Sequence, residues 1–163
     1  MMNKVEKMIY YCLQQVKHGS IYVWGGQGQK VKNLSLLDLA RMETSGDNAG
    51  RVAKHVFNFI KKIDSKAKAF DCSGLIIMAL IYAKVLSKGF DTTANGLYQM
   101  FDKISISNRS KGDLIYKMEN GVAVHVGVVL DYQHVIECKG RDYGVVESLI
   151  DNTWNACNRP EYC

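Results

Sequence analysis

Apolar residues recur at helical spacing through the first part of this chain and at alternate positions through the last. Val5, Met8, Ile9, Cys12, Leu13 and Val16 mark one stripe and predict an amphipathic helix over about 3–17. A glycine-rich turn, Gly25-Gly26-Gln27-Gly28, follows it. Two further helical patterns run over about 34–42 and 49–63, with Thr44-Ser45-Gly46-Asp47 as the break between them. In the second, Val52, Val56, Phe57, Phe59 and Ile60 gather on one side. A nearly unbroken apolar run at 75–82 predicts a buried helix from Cys72 to about 87, and a short helix is expected near 94–101. After Lys111-Gly112-Asp113 the period changes to two, so 114–117, 122–130, 135–138 and 145–149 read as strands. Helices first and strands second predict an α+β domain with an antiparallel sheet.

The start of the apolar helix carries the first candidate chemistry. Asp71 is a good N-cap residue, and Cys72 occupies the first turn behind it. Unsatisfied N–H groups and the positive end of the helix dipole gather there. Such a site is expected to pull a thiol below its free pKa of about 8.5. The competing account is that Cys72 is a small core residue like other cysteines.

The strand at 122–130 supplies the second. Val122, Val124, Val126, Val128 and Leu130 form an apolar face expected in the core, while Ala123, His125, Gly127 and Val129 form a face that is small apart from one histidine. A turn at Asp131-Tyr132-Gln133 would bring His125 roughly opposite Glu137 on one face of the hairpin. A carboxylate there fixes the imidazole tautomer and raises its basicity, the orienting role in a nucleophile–base–orienter set. Alone, His125 and Glu137 are better explained as a satisfied core histidine and a strand-edge charge. Together with a cysteine at a helix start they supply the parts of thiol acyl transfer. His134 is the competing base or orienter and is expected to face away from Glu137.

Composition narrows the setting. A chain of 163 residues with 47% apolar and 23% charged content suits one globular domain with a real core. Five cysteines without a CxxC spacing and four scattered histidines fit no zinc template, so neither metal nor cofactor is expected. A disulfide scaffold is not expected at this length, and the protein is expected to be made and kept reduced. The first helix lacks the apolar centre of a signal peptide, and the run from 75 to 86 is too short and interrupted to span a membrane. The net charge of +5 includes Lys30, Lys32, Lys54, Lys61, Lys62, Lys66 and Lys68, all before Cys72. Solvated faces explain such lysines more often than a polyanion does; of the polyanions, an anionic cell wall fits better than nucleic acid, because no nucleic-acid fold motif accompanies them.

Four blocks in order, Tyr22-Val23-Trp24-Gly25-Gly26, Asp71-Cys72-Ser73-Gly74-Leu75, Gly112-Asp113-Leu114-Ile115 and His125-Val126-Gly127-Val128 followed by Glu137, resemble the NlpC-type family of papain-like cysteine peptidases. Members of that family cleave bacterial peptidoglycan peptides. The resemblance covers about 5–150 and implies a papain-like α+β core, its central antiparallel sheet packed against the nucleophile helix. It implies that Cys72 is the nucleophile, His125 the base, Glu137 the third polar residue where the family often has histidine, and Tyr22 the hydroxyl that assists the oxyanion. Asp71 and Ser73 match positions that hold a substrate amino group in members acting on short stem peptides, with helix capping an equal alternative. Trp24, in the same block as Tyr22, is placed with them on the substrate side. The family's short link between the Trp-Gly-Gly and Asp-Cys blocks is replaced by a long segment, expected as a helical insertion at about 31–70 forming a flap or wall beside the cleft. Lys111 stands where the family usually has proline. Lys139-Gly140-Arg141-Asp142 and Trp154…Arg159-Pro160 resemble, more loosely, phage-encoded lysins of this type.

The expectation from the resemblance is one catalytic domain over 1–163, a peptidoglycan endopeptidase cutting between D-glutamate and the diamino acid of the stem peptide. Its partners would be stem peptides and anionic wall polymers, with neither nucleic acid nor membrane, and it would act as a monomer. Made in the cytoplasm without a signal peptide, it would reach the wall through a holin or on a phage particle. An N-acetylmuramoyl-L-alanine amidase or an acyltransferase on the same frame is one alternative. An inactive wall-binding module is the other.

Overall fold

The computed structural model describes residues 1–59 and 64–162. Helix α1 (Lys4–Lys17) starts at a capping box in which Asn3 and Glu6 satisfy each other's backbone N–H groups, and it buries Met8, Ile9, Tyr11 and Cys12. Strands β1 (Ile21–Tyr22) and β2 (Gln27–Lys30) follow. After a 3-10 turn at Val31–Asn33 come α2 (Leu36–Met42), capped by Ser35 and Asp38, and α3 (Gly46–Phe59). The chain returns through β3 (Lys68–Phe70), which pairs in parallel with β1 and antiparallel with β2. The remaining expected helical positions of α3, from Ile60 to Ile63, lie outside the described residues.

Helix α4 (Cys72–Tyr82) is apolar all round, and Leu75, Ile76, Ile77, Ala79 and Leu80 have no exposed surface. Such a helix must be covered on every side. Helix α1, strand β2 and the strands at Val122–Val129 and His134–Cys138 do this. It ends at Tyr82, short of the expected 87. Lys84 turns left-handed (φ 60°), and the Lys84 and Val85 N–H groups donate back to Ile81 and Leu80, a Schellman closure that stops the helix. Helix α5 (Ala94–Met100) lies where expected.

Among the described residues the main sheet holds six antiparallel strands in the order β4-β9-β5-β6-β7-β8. These are β4 (Asp102–Ile104), β5 (Leu114–Glu119), β6 (Val122–Val129), β7 (His134–Cys138), β8 (Val145–Leu149) and β9 (Ala156–Arg159). The buried Asp113 carboxylate takes two hydrogen bonds from the Arg159 guanidinium, both at 2.7 Å, tying the start of β5 to the end of β9. One face of the sheet joins α1 and α4 in the main core; on the other, Ile115, Val129, Val135 and Cys157 pack under Trp154. A third cluster, Ile21, Val23, Val31, Leu39, Val52, Ala67 and Ala69, fastens the helical segment to β1 and β3.

One expectation about β6 fails. Val126 and Val128 are buried, but Val122 and Val124 are about half exposed, at 48% and 46%. The cause is a bulge: Lys117 pairs with His125, but its neighbour Met118 pairs with Ala123, which leaves Val124 as the extra residue. An added residue reverses the alternation beyond it, so Ala123 enters the core in place of its neighbours. The bulge sits immediately before His125.

Cys12, Cys72, Cys138 and Cys157 carry free thiols. Among the described residues no helix is long and apolar enough to cross a membrane, and no cluster of three or more His, Cys, Asp or Glu could hold a metal ion.

Candidate active site

Two glycines set the position of α4. The Asp71 N–H donates to the Gly26 carbonyl at 3.0 Å. A Cβ on Gly74 would come within 2.0 Å of that same oxygen, and a Cβ on Gly26 would come within 2.7 Å of the Phe70 backbone. Only glycine at both positions lets the 22–28 segment, β3 and the first turn of α4 meet this closely.

Asp71 caps α4. Its Oδ1 accepts the Gly74 N–H at 2.6 Å and the Ser73 hydroxyl at 3.2 Å, and its Oδ2 accepts the Gly25 N–H at 3.1 Å. Burial raises its pKa, and these hydrogen bonds offset part of the rise. Asp71 therefore performs the capping role in the structure with the Ser73 hydroxyl bonded to it, while both also line a cleft of about 620 Å³.

Tyr22, Trp24, Cys72 and His125 line the same cleft. Glu137 stands behind it, buried, with Oε2 2.7 Å from His125 Nε2. The pair is diagonal rather than opposite: Gly127 is the residue across from Glu137. Diagonal neighbours on one face remain within reach of long side chains. Gly127 makes room for this, since a Cβ there would strike Val135 Cγ2 at 2.5 Å and come 3.1 Å from the Trp154 ring. Trp154 in turn lies against His125, ring centroids 5.5 Å apart. Burial pushes the Glu137 pKa up, but hydrogen bonds from His125 and Ser148 and the charge of Lys117 outweigh it, and the net shift is downward. An ionised Glu137 accepts a hydrogen bond from Nε2–H, which leaves Nδ1 with a lone pair for the cleft.

His134 faces away, as expected. Its Nδ1 lies 2.9 Å from Asp131 Oδ1 in the hairpin turn.

The expected depression of the Cys72 pKa is overturned. Burial, with the neighbouring Asp71 carboxylate second, pushes the thiol up to about 11, although backbone N–H groups of Val126, Ser73 and Cys72 itself pull the other way. Desolvation outweighs the helix terminus. Burial therefore favours the neutral form of the Cys72 thiol, the form that a base beside it would have to deprotonate. Tyr22 is likewise held protonated, first by burial and then by Cys72.

Motif reading missed a cleft residue, Arg141, and the buried carboxylate behind it, Glu43. Arg141 lies with its guanidinium carbon 5.1 Å from the Tyr22 ring centroid. Its Nε and Nη2 donate to Glu43 Oε2 at 3.0 and 2.7 Å. Glu43, the C-cap residue of α2, has a wholly buried side chain and accepts the Trp24 N–H on its other oxygen at 3.1 Å. Arg141 stood in a noted motif, but Glu43 is a charged residue at the end of an expected helix and carried no local signal. Asp91, hydrogen-bonded by the Gln27 amide, lines the cleft as well.

Comparison with known proteins gives a consistent result. The model of the NlpC/P60 family matches residues 19–157. No curated protein sequence matches. Among solved structures, the P60 domain of an M. avium subspecies paratuberculosis antigen is 22% identical, with 98% of this chain and 96% of that one covered at a TM-score of 0.66. RipD of Mycobacterium tuberculosis, a non-catalytic NlpC/p60 domain protein adapted to peptidoglycan binding, is 18% identical, with 98% of each chain covered at 0.64. The M. tuberculosis peptidoglycan hydrolase RipB is 22% identical, with 98% of this chain and 66% of that one covered at 0.65. At these identities the likeness shows the papain-like fold, which carries both hydrolases and a binding protein.

Proposed function

We propose that this chain, which belongs to the NlpC/P60 family, is a peptidoglycan hydrolase that works as a cysteine endopeptidase. The observation that carries the proposal is the His125–Glu137 contact of 2.7 Å, which gives the Cys72 cleft an oriented base. Among the solved neighbours, RipB is a peptidoglycan hydrolase, whereas RipD is non-catalytic and adapted to binding peptidoglycan. A complete nucleophile, base and orienter favours hydrolysis here.

In this mechanism His125 Nδ1 takes the Cys72 proton as the sulfur attacks an amide carbonyl carbon, since burial favours the neutral thiol. The negative charge moves to the carbonyl oxygen. The Cys72 backbone N–H and the Tyr22 hydroxyl stabilise it, each such donor being worth about 2.7–4 kcal/mol elsewhere. The C–N bond then breaks, the imidazolium gives its proton to the leaving amine, and a thioester remains. His125 next activates water, the C–S bond breaks, and the thiol recovers its proton. Glu137 stays ionised throughout and holds the imidazole.

The scissile bond in the proposal joins D-glutamate to the diamino acid of the stem peptide. Asp71, Ser73 and Trp24 face the substrate beside it. Residues 31–70 are proposed as an insertion within a single catalytic domain; among the described residues none of them lines the cleft, and the segment reaches it through the Glu43–Arg141 pair. A cavity of about 330 Å³ lined by His18, Lys30, Lys32, Lys66 and Lys68 supports attraction to anionic wall polymers. The looser resemblance at 139–142 and 154–160 supports a phage or prophage lysin, released by a holin or carried on the particle.

Purified peptidoglycan digested with the protein and analysed by mass spectrometry tests the assignment. Shortened stem peptides are expected. Release of whole stem peptides from glycan would instead identify an amidase, and an acyltransferase would join peptides rather than cut them.

A further inference from the structure

Arg141 is a cation placed deliberately in a cleft wall. Its side chain is only 16% exposed, and the ring of Tyr22 supports it. Glu43 grips Nε and Nη2 through one oxygen and spends the other on the Trp24 backbone, so the carboxylate cannot swing away. A second ion pair, Arg51 with Asp142, fixes the same loop to α3. Both anchors of the loop thus come from the helical segment between β2 and β3.

Guanidinium presents five N–H donors in a planar fork. Glu43 takes hydrogen bonds from two nitrogens, and among the described residues no other group accepts from Arg141. The remaining donors belong to a group that lies in the cleft with Tyr22 and Cys72. A strut alone would not need to reach the cleft; a planar donor fork beside the nucleophile matches a carboxylate. Lys139, on the same loop, also lines the cleft and adds positive charge.

We infer that Arg141 binds a substrate carboxylate adjacent to the scissile amide, with Glu43 as its positioning residue. The inference rests on the hydrolase proposal for the site and adds the chemistry of its substrate: a peptide whose residue flanking the cut bears a free carboxylate rather than an amide. It also gives the helical segment a task, which is to hold a specificity residue that the short family link could not reach.

The test uses two stem peptides that differ only in whether the carboxyl group next to the scissile bond is free or amidated. Wild type should favour the free acid at least tenfold in kcat/KM, about 1.4 kcal/mol. In Arg141→Gln the preference should fall to within twofold, through a raised KM for the acid peptide with kcat little changed, and Arg141→Lys should recover part of it. Calorimetric binding of both peptides to Cys72→Ala needs no turnover. The same preference must appear there and vanish in Cys72→Ala/Arg141→Gln, with melting temperatures confirming that each variant is folded. Equal binding of the two peptides, no binding of either, or a preference that survives Arg141→Gln overturns the inference. Preferential binding without any cleavage by wild type upholds it and overturns the hydrolase proposal instead.

Discussion

Gly74 on α4 faces the Gly26 carbonyl so closely that a Cβ would sit 2.0 Å from the oxygen. The same oxygen accepts the Asp71 N–H. One carbonyl therefore fixes the helix start against the segment that delivers Tyr22 and Trp24, and both halves of the cleft depend on it. Gly74→Ala forces a separation of backbone against backbone. A loss of about 1–3 kcal/mol is expected from such overpacking, and at this chain length each kcal/mol lowers Tm by roughly 2–4 °C. Calorimetry should show the drop together with reduced turnover; an unchanged Tm would mean that the helix start is free to shift.

In the proposed mechanism Glu137, 2.7 Å from His125 Nε2, orients that ring and does not touch the reacting atoms. Glu137→Ala should lower kcat by at least about tenfold and by no more than the roughly 10⁴-fold seen when a serine triad loses its orienting acid. His134→Ala should leave the rate unchanged, since that ring is occupied with Asp131. Steady-state rates on a defined stem peptide decide between them. Full activity in Glu137→Ala with loss in His134→Ala would transfer the orienting role.

The resting thiol sets the pH behaviour. With Cys72 pushed up to about 11, iodoacetamide alkylation should climb through the alkaline range without a plateau between pH 5 and 8. Rapid alkylation at pH 6 would instead reveal a preformed thiolate–imidazolium pair. The stability consequence has a definite sign. A folded-state pKa above the unfolded value means that the contribution of the buried thiol is complete below an unfolded pKa of about 8.5. It is lost as the pH rises through 11. Denaturant midpoints should therefore fall more steeply over that window in wild type than in Cys72→Ala.

The cavity lined by Lys30, Lys32, Lys66 and Lys68 should make wall binding sensitive to ionic strength. Lys30→Glu/Lys66→Glu is expected to weaken sedimentation of Cys72→Ala with cell walls and to flatten its salt dependence. Binding that ignores both salt and charge reversal would remove these lysines from wall recognition.

What could be read in advance was local chemistry. Cys72 behind an N-cap and His125 two residues before Gly127 are patterns of adjacent residues, and Glu137 followed from the hairpin that joins its strand to theirs. Long-range effects were not legible. The bulge at Val124 exposes Val122 and Val124 although their alternation promised burial. Strands β1, β2, β3, β4 and β9 span at most four residues each, too few to display a period of two. The rise in the Cys72 pKa comes from burial that the full fold creates. Glu43 meets Arg141 across 98 positions of sequence, and no spacing rule connects a helix end to a distant loop.

The central claim is that the Cys72 thiol does the chemistry. Cys72→Ala, prepared folded and compared with wild type on purified peptidoglycan, is the most direct test, with mass spectrometry of the soluble products and sedimentation of bound protein read together. The account predicts that wild type releases shortened stem peptides while the variant releases none and still binds the wall. Equal product release by both proteins, or binding without product by both, would contradict it.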